Sequence, residues 1–190
     1  MRKLPGGHLP FIVLLLFITA LPASANKPRY ERTVETIKVP DVVLTNQDGA
    51  RVRLTSLLNS DQPLIVDFIY GTCTTICPVL SAGFSNLQKK LGPDSAKVHL
   101  VSITIDPEND SPQVMKEYLQ RYRAKPGWDF LTGSRKDIDR VMTAFNAYFS
   151  DKMDHQPLTF IRTQQDGEWI RLYGLLSGRD FMNECKKVGI

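Results

Sequence analysis

Cysteine is scarce here, with three residues at positions 73, 77 and 185 in a chain of 190, too few for a fold stapled by disulfides. Histidine is equally rare, at positions 8, 99 and 155. The most apolar stretch, Leu9 to Leu21, falls short of the about 20 residues that a bilayer-crossing helix needs. Charge of one sign is also missing: 24 Lys and Arg stand against 20 Asp and Glu, and no cluster of basic and aromatic side chains marks a nucleic-acid surface. There is no internal repeat and no low-complexity segment. Stability must therefore come from packing around a core.

Arg2 and Lys3 precede that apolar stretch and Ala23-Ser24-Ala25 follows it. This order of charge, apolar run and small-x-small site predicts a secretory signal peptide over residues 1–25, cleaved after Ala25. Its removal leaves 22 basic and 20 acidic side chains. Residues 26–35 are expected to form a loose polar lead, and residues 36–190 a domain with one core.

Val42 to Leu44 and Val52 to Leu54 flank Asn46-Gln47-Asp48-Gly49, a β-hairpin with an Asp-Gly turn. Thr55 is expected to cap a short helical turn. Leu64 to Tyr70 reads as a buried strand by its nearly continuous apolar character. A helix follows, with Leu80, Phe84, Leu87 and Leu91 on one face and Gly92-Pro93 as its stop. Val98 to Ile105 is a second buried strand. Ser111-Pro112 opens a helix with Met115, Tyr118, Leu119 and Tyr122 inward. Trp128 to Leu131 is a strand, and Ser134 caps a helix carrying Ile138, Val141, Met142 and Phe145. Leu158 to Ile161 and Glu168 to Tyr173 flank Asp166-Gly167 as a second hairpin, and Ser177 starts a terminal helix. This succession predicts an α/β sandwich with a central mixed sheet, an N-terminal β-hairpin extension and flanking helices.

Chemistry concentrates in Tyr70-Gly71-Thr72-Cys73-Thr74-Thr75-Ile76-Cys77-Pro78. The strand delivers both cysteines to a helix start, where amides and the positive dipole end favour thiolate. At i, i+4 both sulfurs are expected on one helical face. They could close on each other as a structural disulfide, work as a redox pair, or share a soft metal ion. Asp67 lies inside the apolar strand six positions before Cys73. Desolvation there would raise its pKa and let it accept a proton from Cys77 during thiol exchange. A polar partner at a sheet edge would make it merely structural.

The runs FIYGTCTTICP (68–78), DPENDSP (106–112) and GWDFLTG (127–133), together with Asp154-His155, resemble the Sco/SenC family of copper proteins, in the same order and across most of residues 36–176. The resemblance implies a thioredoxin-like fold, export, and help in delivering copper to the binuclear centre of cytochrome c oxidase. In that family the CxxxC cysteines and a distant histidine bind the metal, which implies Cys73, Cys77 and His155 as ligands for Cu(I) or Cu(II) here. It further implies the copper-bearing oxidase subunit and another copper chaperone as partners; the need for reduced thiols adds a thiol reductant protein, and the signal peptide predicts a periplasmic location, with an uncleaved membrane anchor as the lesser alternative. An exposed site, open to incoming ligands, is expected of a transfer protein.

Other residues read more plainly. His99 alternates with apolar neighbours and should be a satisfied, partly buried side chain. Asp154 would orient His155 or decorate the surface. Met153 would be an extra soft contact, and Pro157 a cis proline facing the cysteines or an ordinary strand start. Cys185 reads as a small buried hydrophobe. Asp106, Glu108 and Asp110 lack the sixth-position glycine of a calcium loop, so that loop is expected to cap the helix from Ser111 at the cysteine end of the sheet.

Overall fold

The computed structural model describes residues 30–162 and 168–190. The expected signal peptide and the Asp166-Gly167 turn lie outside them. Eight strands form one mixed sheet: β1 (Glu31–Glu35), β2 (Val43–Asn46), β3 (Arg51–Arg53), β4 (Leu64–Ile69), β5 (His99–Thr104), β6 (Trp128–Thr132), β7 (Leu158–Arg162) and β8 (Trp169–Tyr173), in spatial order β1-β8-β7-β4-β5-β6-β2-β3. β4, β5 and β6 run parallel, and the remaining pairings are antiparallel. The β2–β3 hairpin extends the sheet from β6, as the Asp-Gly turn predicts.

The helices are α1 (Leu54–Leu58), α2 (Cys77–Leu91), α3 (Pro112–Arg121), α4 (Arg135–Ala144) and α5 (Gly178–Lys187). Serine hydroxyls at positions 111, 134 and 177 cap α3, α4 and α5, as expected from sequence. Side chains alternate across a strand, so β4 divides between two layers. Phe68 meets Phe145, at the end of α4, and Phe160 on one face. Phe145 in turn packs edge-on to Trp169. Truncating one of these fully buried rings to alanine would cost about 3–5 kcal/mol. On the other face lie α2, α3 and α5, joined by Ser81–Tyr118 at 2.7 Å and Phe84 stacked on Phe181.

Three local expectations are corrected. Residues 31–35 are not loose: β1 pairs with β8, and Tyr30 and Arg32 reach the buried carboxylate of Glu184 at 2.5 and 3.0 Å. Thr55 lies within α1 rather than capping it, because Leu54 continues straight from β3 with Arg53 at the cap. Cys73 is not helical: α2 begins at Cys77, and Cys73 sits in the preceding turn, its N–H donating to the Tyr70 carbonyl at 3.2 Å.

The carboxyl ends of β4 and β5 and the amino end of β7 meet at one edge of the sandwich, so the loops after Ile69, after Thr104 and before Leu158 converge. Such ends are where α/β sheets place their sites.

Candidate metal centre

Pro78 sets the start of α2 by its fixed φ and missing N–H. The helix has no side-chain cap and no acid in its first turn. Its leading amides are thus free for an anion. Cys73 occupies that position. Burial alone would raise its pKa, but hydrogen bonds from the Cys77 thiol, the Cys77 and Thr75 amides and the Thr75 hydroxyl outweigh it and hold the thiol below its ordinary value. Cys77, fully buried, moves the opposite way: burial and its bond to Cys73 push its pKa far up, with the charges of Cys73 and Asp67 adding to the effect. The two thiols are thus driven apart, Cys73 towards the thiolate and Cys77 towards the thiol.

His155 approaches from the loop before β7. Its Nε2 lies 4.0 Å from Cys77 Sγ and donates to the Phe68 carbonyl oxygen at 3.1 Å. The ring packs edge-on against Tyr70 and Phe149. Burial lowers its pKa, the Phe68 carbonyl opposing, which favours the neutral imidazole that metals need. One donor atom from each of Cys73, Cys77 and His155 lies within 4.8 Å of the other two, a spacing that a single ion can draw together.

The site is less open than expected: Cys73, Cys77 and His155 are 7%, 0% and 6% exposed. Tyr70, itself buried, and Phe149 close over it. Burial, with the nearby Cys73 sulfur adding to it, raises the Tyr70 phenol to about 12.

Asp67 is fully buried on the α2 face, and among the described residues neither carboxylate oxygen has a partner at full hydrogen-bond geometry. β4 lies inside the sheet, so Asp67 does not stand at a sheet edge, and its polar neighbour is Ser102 on β5. Burial raises its pKa to about 7, and the hydroxyl of Ser102, its cross-strand neighbour, offsets only part of this. Asp154 is exposed and, among the described residues, makes no bond to His155. Met153 is 72% exposed, with its sulfur accepting from the Tyr70 hydroxyl at 3.6 Å. No cis peptide occurs among the described residues, so Pro157 is trans. His99 is satisfied by Asp129 at 2.7 Å. Cys185 is a buried thiol whose pKa burial raises to about 12.

Sequence reasoning missed the contribution of the loop after β5. Asp110 is buried there, and both its carboxylate oxygens accept from the Gly71 N–H, at 3.0 and 3.2 Å. Only the glycine that follows a buried strand hinted at so close an approach.

A mixed-sheet, thioredoxin-like domain with two thiols and an imidazole converging at one sheet end defines a class of thiol and metal proteins. Residues 31–184 match the SCO1/SenC family, and the chain belongs to it. It is 35% identical over 144 residues to the SCO1 protein homolog of Bacillus subtilis (strain 168), covering 72% of this chain and 73% of that protein. Among solved structures it is similar to BsSco, described as a member of the Sco family of cytochrome c oxidase assembly proteins with a disulfide switch. There the TM-score is 0.66 at 31% identity, over 80% of this chain and 94% of that one. The copper-bound ScoI of Bradyrhizobium japonicum gives 0.63 at 28% identity, over 77% and 96%.

Proposed function

We propose that this chain is an exported, periplasmic copper metallochaperone that supports assembly of the copper site of a respiratory cytochrome c oxidase, with Cys73, Cys77 and His155 as its ligands. The observation that carries the reading is that these three donors lie within 4.8 Å of one another. Two thiolates and an imidazole form a soft, low-coordinate set suited to Cu(I), and an added oxygen ligand would accommodate Cu(II). The copper held by ScoI of Bradyrhizobium japonicum supports the choice of metal, and the description of BsSco supports the oxidase as recipient.

Copper here is cargo. Cys77, with no exposure, is the anchoring ligand, while Cys73 and His155 keep the residual access through which a recipient's ligands enter. Because the thiols must be reduced to hold metal, the reading requires a thiol reductant partner, and it adds another copper chaperone as the donor. The test is anaerobic copper titration of the reduced protein, with absorption spectra, for the wild type and for Cys73→Ser, Cys77→Ser and His155→Ala. One equivalent bound tightly by the wild type, and weakly by each variant, is expected. Undiminished affinity in His155→Ala would overturn the reading.

The opposite shifts of the two thiols, above a buried acid, favour a second reading as a thiol:disulfide oxidoreductase. The Cys73 thiolate attacks a substrate disulfide, forming a mixed disulfide and releasing one substrate sulfur. Cys77 then passes its proton to the Asp67 carboxylate and attacks the Cys73 sulfur, expelling the second substrate sulfur; both sulfurs leave as thiolates that take their protons from solvent, and the protein is left oxidised. This reading predicts that His155→Ala retains full exchange activity.

A further inference from the structure

We propose that the acidic turn between β5 and α3, residues 106–110, is a two-armed brace that sets the distance between the Cys73 turn and the His155 segment, with Asp110 positioning Cys73 and Asp106 positioning His155. The inference rests on the metal-site reading above.

The first arm reaches the sulfur side. Asp110 is 1% exposed, and its carboxylate accepts from the Gly71 N–H and, at 2.5 Å, from the Thr104 hydroxyl. Gly71 stands two residues before Cys73 in the turn closed by the Cys73 N–H on the Tyr70 carbonyl. The approach is close enough to exclude a side chain at position 71: a Cβ there would lie 2.7 Å from Asp110 Oδ1 and 3.2 Å from Val114 Cγ1. A buried carboxylate accepting a backbone N–H makes a strong, directional hydrogen bond, so the Cys73 turn is fastened at a fixed point on α3's leading edge.

The second arm reaches the imidazole side. Asp106, 5% exposed, pairs through Oδ2 with Lys152 Nζ at 2.6 Å. Lys152 starts the 3-10 turn whose end is His155, and its carbonyl accepts the His155 N–H at 3.4 Å. The same ammonium lies 5.4 Å above the Tyr70 ring that covers the site. Thr104 joins the two arms, donating to Asp110 while its oxygen accepts the Asp106 N–H at 2.9 Å. Asn109 ties the turn internally, reaching both Asp106 oxygens at 2.9 and 3.0 Å. Helix capping does not explain the acids, since Ser111 makes that bond to Val114 itself.

The two arms predict separable effects. Reduced, metal-free protein is equilibrated in glutathione buffers to follow the Cys73/Cys77 dithiol, and Cu(I) affinity is read separately by competition with a chromophoric chelator. Asp110→Ala should shift both readouts, with Cu(I) affinity falling about 10- to 100-fold, the range for groups that orient metal ligands. Asp110→Asn, which keeps one acceptor oxygen, should fall between Asp110→Ala and wild type. Asp106→Ala should weaken Cu(I) binding while leaving the glutathione equilibrium within about twofold of wild type. Gly71→Ala and Asp110→Ala should be non-additive, since they break one contact. Thermal melts accompany each variant, and if Asp110→Ala does not fold, Asp110→Asn and Gly71→Ala decide the question. Folded Asp110 variants with both readouts unchanged would overturn the proposal, as would an Asp106→Ala that shifts the dithiol as far as Asp110→Ala. A wild type that fails to bind copper would sink the metallochaperone reading instead, and the glutathione arm would still decide the role of Asp110.

Discussion

His155 Nε2 lies 3.1 Å from the carbonyl oxygen of Phe68 and 4.0 Å from Cys77 Sγ, so one ring nitrogen is shared between the end of β4 and the first residue of α2. In the metal-site reading Nε2 gives up that N–H contact and presents its lone pair to the ion, so the imidazole is a ligand in its own right and not a group that orients one. His155→Ala should therefore lower copper affinity by more than the roughly 100-fold seen for groups that only orient ligands. Disulfide exchange by the same variant, measured with a small disulfide, should stay within a few-fold of wild type.

The two thiols of the site should react unequally. Cys73 has a lowered pKa, while burial pushes Cys77 and Cys185 up. Brief alkylation of the folded, reduced protein near neutral pH should modify Cys73 alone, as read by peptide mass mapping. Cys77 and Cys185 should react only after denaturation. Comparable early labelling of Cys77 would refute the assignment of the thiolate.

Asp67 gives the fold a pH dependence of known sign. Its pKa rises from 3.8 to about 7 on folding, so between those values the unfolded chain releases a proton that the native chain retains. Stability from this group falls as pH rises through that window, and the full penalty is present above about pH 7. The shift corresponds to about 4 kcal/mol at most. Asp67→Asn should thus be more stable than wild type at pH 8 and nearly equal to it at pH 4, by chemical denaturation. The oxidoreductase reading adds that this variant should exchange disulfides slowly, whereas its copper affinity should hold.

Glu184 should control the docking of β1. Burial opposes its charge, yet bonds from Lys187, Tyr30 and Arg32 bring its pKa below the usual value. That contribution is present above the unfolded pKa and is lost as pH falls through the lowered one. Glu184→Ala should cost about 1–3 kcal/mol and speed amide exchange in residues 31–35, with little change at β4. Unaltered exchange in β1 would show that strand pairing alone holds it.

Much of the architecture was legible because apolar residues recur at the right period. The unbroken run of β4, the Leu80, Phe84 and Leu87 stripe of α2, and the three serine caps all follow from local rules. β1 was not legible: Glu31 to Glu35 carries no alternating apolar pattern, and its anchor, Glu184, is 154 positions from Tyr30. The CxxxC spacing suggested two sulfurs on one helical face, but Pro78 and the missing cap start the helix at Cys77. The backbone turn, rather than helical periodicity, brings Cys73 back to the amides. The closure of the site depends on Tyr70 and Phe149, whose aromatic character says nothing locally about a histidine at position 155. Asp110 was read as part of a cap because its bond to Gly71 spans 39 residues.

Seventy-eight positions separate Cys77 from His155 along the chain, and β5, β6 and the helices between them must all be in place before the imidazole reaches the sulfurs. An incompletely folded molecule offers two thiols and no third donor. In the metallochaperone reading, loading through all three groups would double as an inspection step: tight capture of the cargo would certify that the carrier is finished, and defective copies would let the ion go.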